Sequence, residues 1–168
     1  MKGRKMETSD STDKIYPALL AAQKEFGGVE KGSHCDFGNY NYAKLEDYIK
    51  VAAPVLEEHK LAIVTGSNSF TVIDGRLNKD GKPKSAVSVG ITLRLIHESG
   101  QWIEVQSVGE GEDVGDKSTY KALTGARKYG VAMLLGLVTT DDPDGGAGAK
   151  NKRQSAGASA PSMDDMGF

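Results

Sequence analysis

A single cysteine, Cys35, stands in 168 residues, so no internal disulfide can form. No Cys-x-x-Cys pair exists either, and a structural zinc site loses its usual donors. A reducing cytoplasm is therefore the expected compartment. No run approaches the roughly 20 apolar residues of a membrane span. The N-terminal MKGRKMETSDSTDK has no apolar stretch and is not expected to act as a secretory signal. Charge of one sign is not in excess. Lys and Arg number 21 against 23 Asp and Glu, a formal net charge of −2. The chain is not a polycation that coats DNA as a whole, so any nucleic-acid contact needs a local cluster. The length suits one ordinary domain with some unstructured chain.

Composition divides the sequence. Residues 1–14 are polar and expected to be flexible, and residues 15–144 form the expected core domain. After Val138 there is no Val, Ile or Leu, and no aromatic until Phe168. Residues 145–162 (GGAGAKNKRQSAGASAPS) are mostly Gly, Ala and Ser around a basic knot of Lys150, Lys152 and Arg153. Such a stretch buries too little to offset the entropy of ordering it and reads as a linker. Residues 163–168 form an acidic and aromatic tip.

Within the core, Ile15, Leu19, Ala22 and Phe26 recur at helical spacing over 14–26. Pro17 falls in the first turn, where its missing N–H is harmless, and Gly27-Gly28 ends the helix. A second helix spans 43–59, with Pro54 expected to bend or split it. Short strands are expected at 61–65 and 70–73. Residues 86–96 alternate, with Val87, Val89, Ile91, Leu93 and Leu95 on one face and Ser88, Gly90, Thr92 and Arg94 on the other. HESG (97–100) turns the chain into a return strand at 102–108. A last helix covers 116–136. The expected fold class is α+β: a small three-stranded antiparallel sheet packed by helices.

At 100° per residue, Ala122, Ala126, Tyr129, Met133 and Leu137 share one side of the last helix, widened by Leu123 and Leu134. They are its expected core stripe. Lys117, Lys121 and Lys128 cluster on the opposite side, flanked by Arg127 and Tyr120. Ammonium groups in a row can track a phosphate backbone, and a nearby ring can stack on a base; a solvated lysine face is the ordinary alternative. Upstream lies GEGEDVGDKS, residues 109–118. It is not a phosphate-cradling loop, because Asp116 separates Gly115 from Lys117 and four carboxylates would repel a triphosphate. The acids Glu110, Glu112, Asp113 and Asp116 leave open a metal- or nucleotide-dependent DNA-processing enzyme, though the spacing of a calcium loop is absent. A Gly-rich turn capped by Asp116 is the plainer reading.

The run from Gly109 to Asp144 resembles the signature of the ERF (essential recombination function) family of phage single-strand annealing proteins. The matching residues are Gly109, Glu110, Gly111, Asp113, Gly115, Asp116 and Lys117, then Lys121, Ala122, Ala126, Lys128 and Tyr129, then Asp141, Asp142 and Pro143. Upstream, Tyr40, Tyr42, Leu45, Pro54 and Leu56 match as well. Ser118 stands where the family often has Ala, and Thr139-Thr140 replaces a Pro-Thr step. The resemblance implies a β-β-β-α annealing core that assembles into rings or helical filaments. It implies that single-stranded DNA is held in a basic groove and complementary strands are paired without ATP or another cofactor. No covalent catalysis is implied.

Further candidate contacts follow from charge. The segment 74–85 (DGRLNKDGKPKS) places Arg76, Lys79, Lys82 and Lys84 at a hairpin tip, able to reach DNA or to stay solvated. Arg94 can line a groove or form a surface ion pair. Tyr40 and Tyr42 either stack on bases or pack a loop against the core. His34 and Cys35 have no third member that would make them a metal or nucleophile site, and His59 and His97 read as surface residues. The tip residues Asp164, Asp165 and Phe168 resemble the acidic tail of bacterial single-stranded-DNA-binding proteins, with Gly167 in place of a proline. That likeness implies recruitment of host replication or repair proteins. An adaptor that acts chiefly through this tail is the second alternative.

Overall fold

A computed structural model describes residues 6–36 and 38–140. The linker and the tip, including Asp164, Asp165 and Phe168, lie outside the described residues. So do Asp141, Asp142 and Pro143.

Helix α1 spans Ile15–Glu25. Its first N–H groups have no partner within the helix. The Gln101 side-chain oxygen meets them, accepting from Lys14 N at 2.8 Å and Ile15 N at 3.1 Å. A two-stranded hairpin follows, β1 (Ser33–Cys35) and β2 (Tyr40–Tyr42). It is an element that sequence periodicity does not signal, because each strand is only three residues long. Helix α2, Leu45–Glu58, runs through Pro54 as one helix rather than splitting. The Asp47 carboxylate caps its start by accepting from Lys44 N at 2.7 Å.

The main sheet has the order β3-β4-β5, all antiparallel, as the alternation at 86–96 predicts. Two boundaries differ from expectation. The pieces at 61–65 and 70–73 belong to one strand, β3 (Leu61–Ile73), which carries a bulge between Ser67 and Ser69. The bulge absorbs Asn68 and so resets the alternation that separated the two pieces. Strand β4 is Ser85–His97. Strand β5 runs Trp102–Asp113, taking in five residues read as loop. Residues 7–9 pair along its start rather than fraying: Ser9 N donates to Trp102 O and Glu104 N to Glu7 O, both 2.9 Å.

Helix α3, Ser118–Leu135, lies on β5 and β4. The glycines of GEGED explain how closely it lies. A Cβ on Gly109 would run into the Ala122 carbonyl and Ala126 N, and one on Gly111 into the Ser118 carbonyl and Ala122 N. Ser118, Ala122, Ala126 and Gly130 form the matching small stripe on the helix, and all four are buried. A stripe at four-residue intervals drifts about 40° per step around the helix. The buried side therefore winds toward Val131, Leu134 and Leu135. Tyr129 and Met133 stay outside it, 58% and 59% exposed. This corrects the expected stripe of Ala122, Ala126, Tyr129, Met133 and Leu137, of which only Ala122, Ala126 and Leu137 are buried. Gly136, at φ 71°, ends α3 in the left-handed conformation that glycine adopts without strain.

The core lies between the three helices and one face of the sheet. Its fully enclosed side chains include Ile15, Val29, Val89, Ile91, Leu93, Leu95, Val131 and Leu135. α3 does not reach across β3, so the stretch from Val64 to Val72 is exposed on both faces.

Candidate nucleic-acid interface

Helix α3 contains Lys121, Arg127 and Lys128 and no acidic residue. With its small stripe turned to the sheet, the outward side carries Lys117, Tyr120, Lys121, Thr124, Arg127 and Lys128 within an arc of about 120° at 100° per residue. Three hollows run along this side. One of about 500 Å³ is lined by Asp116, Lys117, Tyr120, Lys121 and Thr124. The next, about 380 Å³, lies between Leu123, Thr124 and Arg127 on α3 and Thr65, Ser67 and Ile91 on the sheet. The third, about 350 Å³, is bounded by Tyr42, Lys44, Glu46, Thr124, Lys128 and Tyr129. Thr124 borders all three, so the hollows adjoin one another there and are taken together as a shallow track.

The cations on this track are unequal. Lys117 and Arg127 have no ion pair or hydrogen bond from their side chains among the described residues. Lys128 donates to the Ala43 carbonyl at 3.4 Å and sits 4.6 Å above the Tyr129 ring. Neither contact neutralises it. Lys121 is engaged by Asp113, whose carboxyl the ammonium group holds below its ordinary range. Tyr120 is 70% exposed. Lys117, not Asp116, occupies the N-cap position, and no side chain caps the helix. This corrects the expected Asp116 cap.

Aromatic groups adjoin the row. Tyr40 and Tyr42 belong to β2, with ring centroids 6.1 Å apart. Tyr40 is 56% exposed, so it does not pack a loop onto the core. Tyr129, read from periodicity as core, stands beside Lys128 instead. The sequence reading missed Thr124, Lys44 and Tyr129 as members of this surface. The signal available was the absence of any acid from Ser118 to Leu135.

The other candidates lie elsewhere. Glu112 accepts from Arg76 Nη2 at 2.8 Å, Arg76 N at 2.6 Å and Lys84 Nζ at 3.2 Å. Arg76 first, then Lys84, pulls its carboxyl down to about 2. Arg76 and Lys84 thus pin the 74–84 loop to the end of β5, while Lys79 and Lys82 project without ion pairs among the described residues. Arg94 pairs with Glu104 at 2.6 Å and stacks on Trp102 at 3.9 Å, on the face of the sheet opposite α3. It is remote from the track. His59 is not a free surface residue: its ring is largely covered and meets Glu25 at 3.0 Å. His34 meets Asn41 at 2.8 Å.

Among the described residues no three or more His, Cys, Asp or Glu side chains are grouped to hold a metal ion. No helix among them is long and apolar enough to cross a membrane. No curated protein sequence matches the chain significantly. The ERF superfamily, in contrast, matches residues 15–165. That span takes in the α+β core, the basic side of α3 and the Gly-Glu-Gly-Glu-Asp strand end beneath it. The chain belongs to the ERF superfamily and is a recombination protein of phage type.

Proposed function

We propose that this protein binds single-stranded DNA along the outward side of α3 and anneals complementary strands as an oligomer, without a nucleotide, in the cytoplasm of a bacterial host. The observation that carries the reading is the track itself. It offers cations with no carboxylate partner among the described residues, Lys117, Arg127 and Lys128, interleaved with the exposed rings of Tyr120 and Tyr129. Ammonium and guanidinium groups neutralise phosphates, and phenol rings stack on bases regardless of sequence. A strand held by its backbone keeps its pairing edges available. Two such strands on neighbouring protomers meet at high local concentration, which converts a bimolecular search into a local one.

Of the four acids that an enzymatic reading would use, Glu110, Glu112, Asp113 and Asp116, two are occupied: Glu112 by Arg76 and Lys84, and Asp113 by Lys121. A ring or filament and recruitment of host proteins through the tip complete the proposal. The test is fluorescent annealing of complementary oligonucleotides, with and without ATP and EDTA. Annealing at equal rates in every condition is expected. Pairing that stops without ATP or divalent metal overturns the reading.

A further inference from the structure

We propose that the bare edge of β3 seats a second copy of this chain, whose β5 edge continues the sheet in parallel. This names the contact surface of the oligomer proposed above and rests on that reading.

Strand β3 runs Leu61–Ile73 at the edge of the sheet, and no described strand lies along its far side. Edge strands are usually short, or defended by charge or proline, because an open row of N–H and C=O groups templates pairing. β3 has 13 residues with neither charge nor proline. Its apolar side chains Val64, Phe70 and Val72 are 55%, 57% and 73% exposed. The Asn68 bulge is its only irregularity. Such an edge is an aggregation hazard unless something pairs with it.

The opposite edge supplies a partner. Residues 7–9 take up only the start of β5, leaving Val105–Asp113 without a strand partner on that side among the described residues. Both β3 and β5 are antiparallel to β4, so they run in the same direction. Two copies side by side in one orientation therefore set β5 of one parallel to β3 of the other. Parallel ladders are slightly weaker per residue, but charge favours this one. At the C-terminal end of β3, Lys79 and Lys82 project without ion pairs. At the same end of β5, Glu110 is exposed and likewise unpaired among the described residues. The parallel arrangement brings them together. An antiparallel β3–β3 contact would leave Glu110 unmatched.

A head-to-tail contact uses a different surface on each partner, so it propagates into a ring or a filament. It also keeps every α3 on one side of the sheet with one polarity. The cation tracks then line up in a single direction, as a DNA strand does.

Sedimentation velocity of the full chain at micromolar concentration tests this, with circular dichroism confirming the fold. Val72→Lys places a charge on the edge at a side chain with no packing role, and its mass should fall to that of one chain. Its affinity for an oligonucleotide short enough for one protomer should stay within twofold. Glu110→Lys should shift the dissociation midpoint at least tenfold, and mixing it with Lys79→Glu/Lys82→Glu should restore assembly. A wild-type monomer, or Val72→Lys at wild-type mass, overturns the β3 seat. Failure of the charge swap to restore assembly overturns β5 as its occupant. Loss of short-oligonucleotide binding in the wild-type protein instead counts against the DNA-binding reading.

Discussion

Glu112 joins three strands' worth of structure through one carboxylate. It sits at the end of β5 and holds Arg76 and Lys84 from the loop between β3 and β4. These partners lower its ionisation from the ordinary 4.5 to about 2 in the folded protein. A carboxyl whose folded value is depressed stabilises the fold fully above its unfolded value, and the contribution fades as pH falls toward the folded one. Asp113 is displaced in the same direction by Lys121. Glu112→Gln should therefore melt below the wild type near neutral pH. The difference should shrink as pH falls from about 4.5 to about 2, read by thermal melts across that window. A gap that widens on acidification would show that Glu112 does not act through its charge. The sequence presented Arg76 and Lys84 as free to reach DNA. Their engagement was not legible, because Glu112 is 36 residues from Arg76 and its partnership depends on the β4–β5 register.

At the level of elements, the meeting of α3 with β5 decides where the basic surface points. Gly109 and Gly111 sit on the helix-facing side of β5, opposite Val89 and Val87 of β4. Backbone of α3 occupies the space their side chains would need. Gly111→Ala must push the helix off the strand, and overpacking of this kind costs about 1–3 kcal/mol. A chemical-denaturation midpoint should fall accordingly, and single-strand affinity should drop with it, because the track would tilt. An unchanged midpoint would mean that the helix is not held there. This contact also marks how far the sequence could be read. The alternation of β4 and the lysine side of α3 were legible because each follows a simple period. The Gly-Glu-Gly-Glu-Asp run was not. Glycines in a strand look like a turn until a helix is seen lying on them. The inner side of α3 misled for a related reason: periodicity favours large apolar residues such as Tyr129 and Met133, whereas close approach selects Ser118, Ala122, Ala126 and Gly130.

Across the whole molecule, a net charge of −2 opposes a polyanion, yet the proposed function requires binding one. Distance reconciles the two. At physiological salt, exposed charges more than about 8–10 Å apart are largely screened, so a bound strand senses the track rather than the total. Along the track, the side chains of Lys44, Lys117, Arg127 and Lys128 have no ion pair among the described residues, whereas Lys121 is already paired with Asp113. Four neutralised phosphates imply a slope of log affinity against log salt near −2.8 for a single strand, at about 0.7 per contact. Lys117→Ala/Arg127→Ala should reduce that slope by about 1.4 with the fold intact. Lys121→Ala should change it by less than one contact's worth, since its charge is spent on Asp113, though the carboxylate it exposes should lower affinity. Fluorescence anisotropy of a labelled oligonucleotide over a salt series reads all three proteins. A Lys121→Ala slope change equal to half that of Lys117→Ala/Arg127→Ala would show that ion pairing within the protein does not set which cations meet DNA. A wild-type slope near zero would remove phosphate neutralisation by α3 altogether.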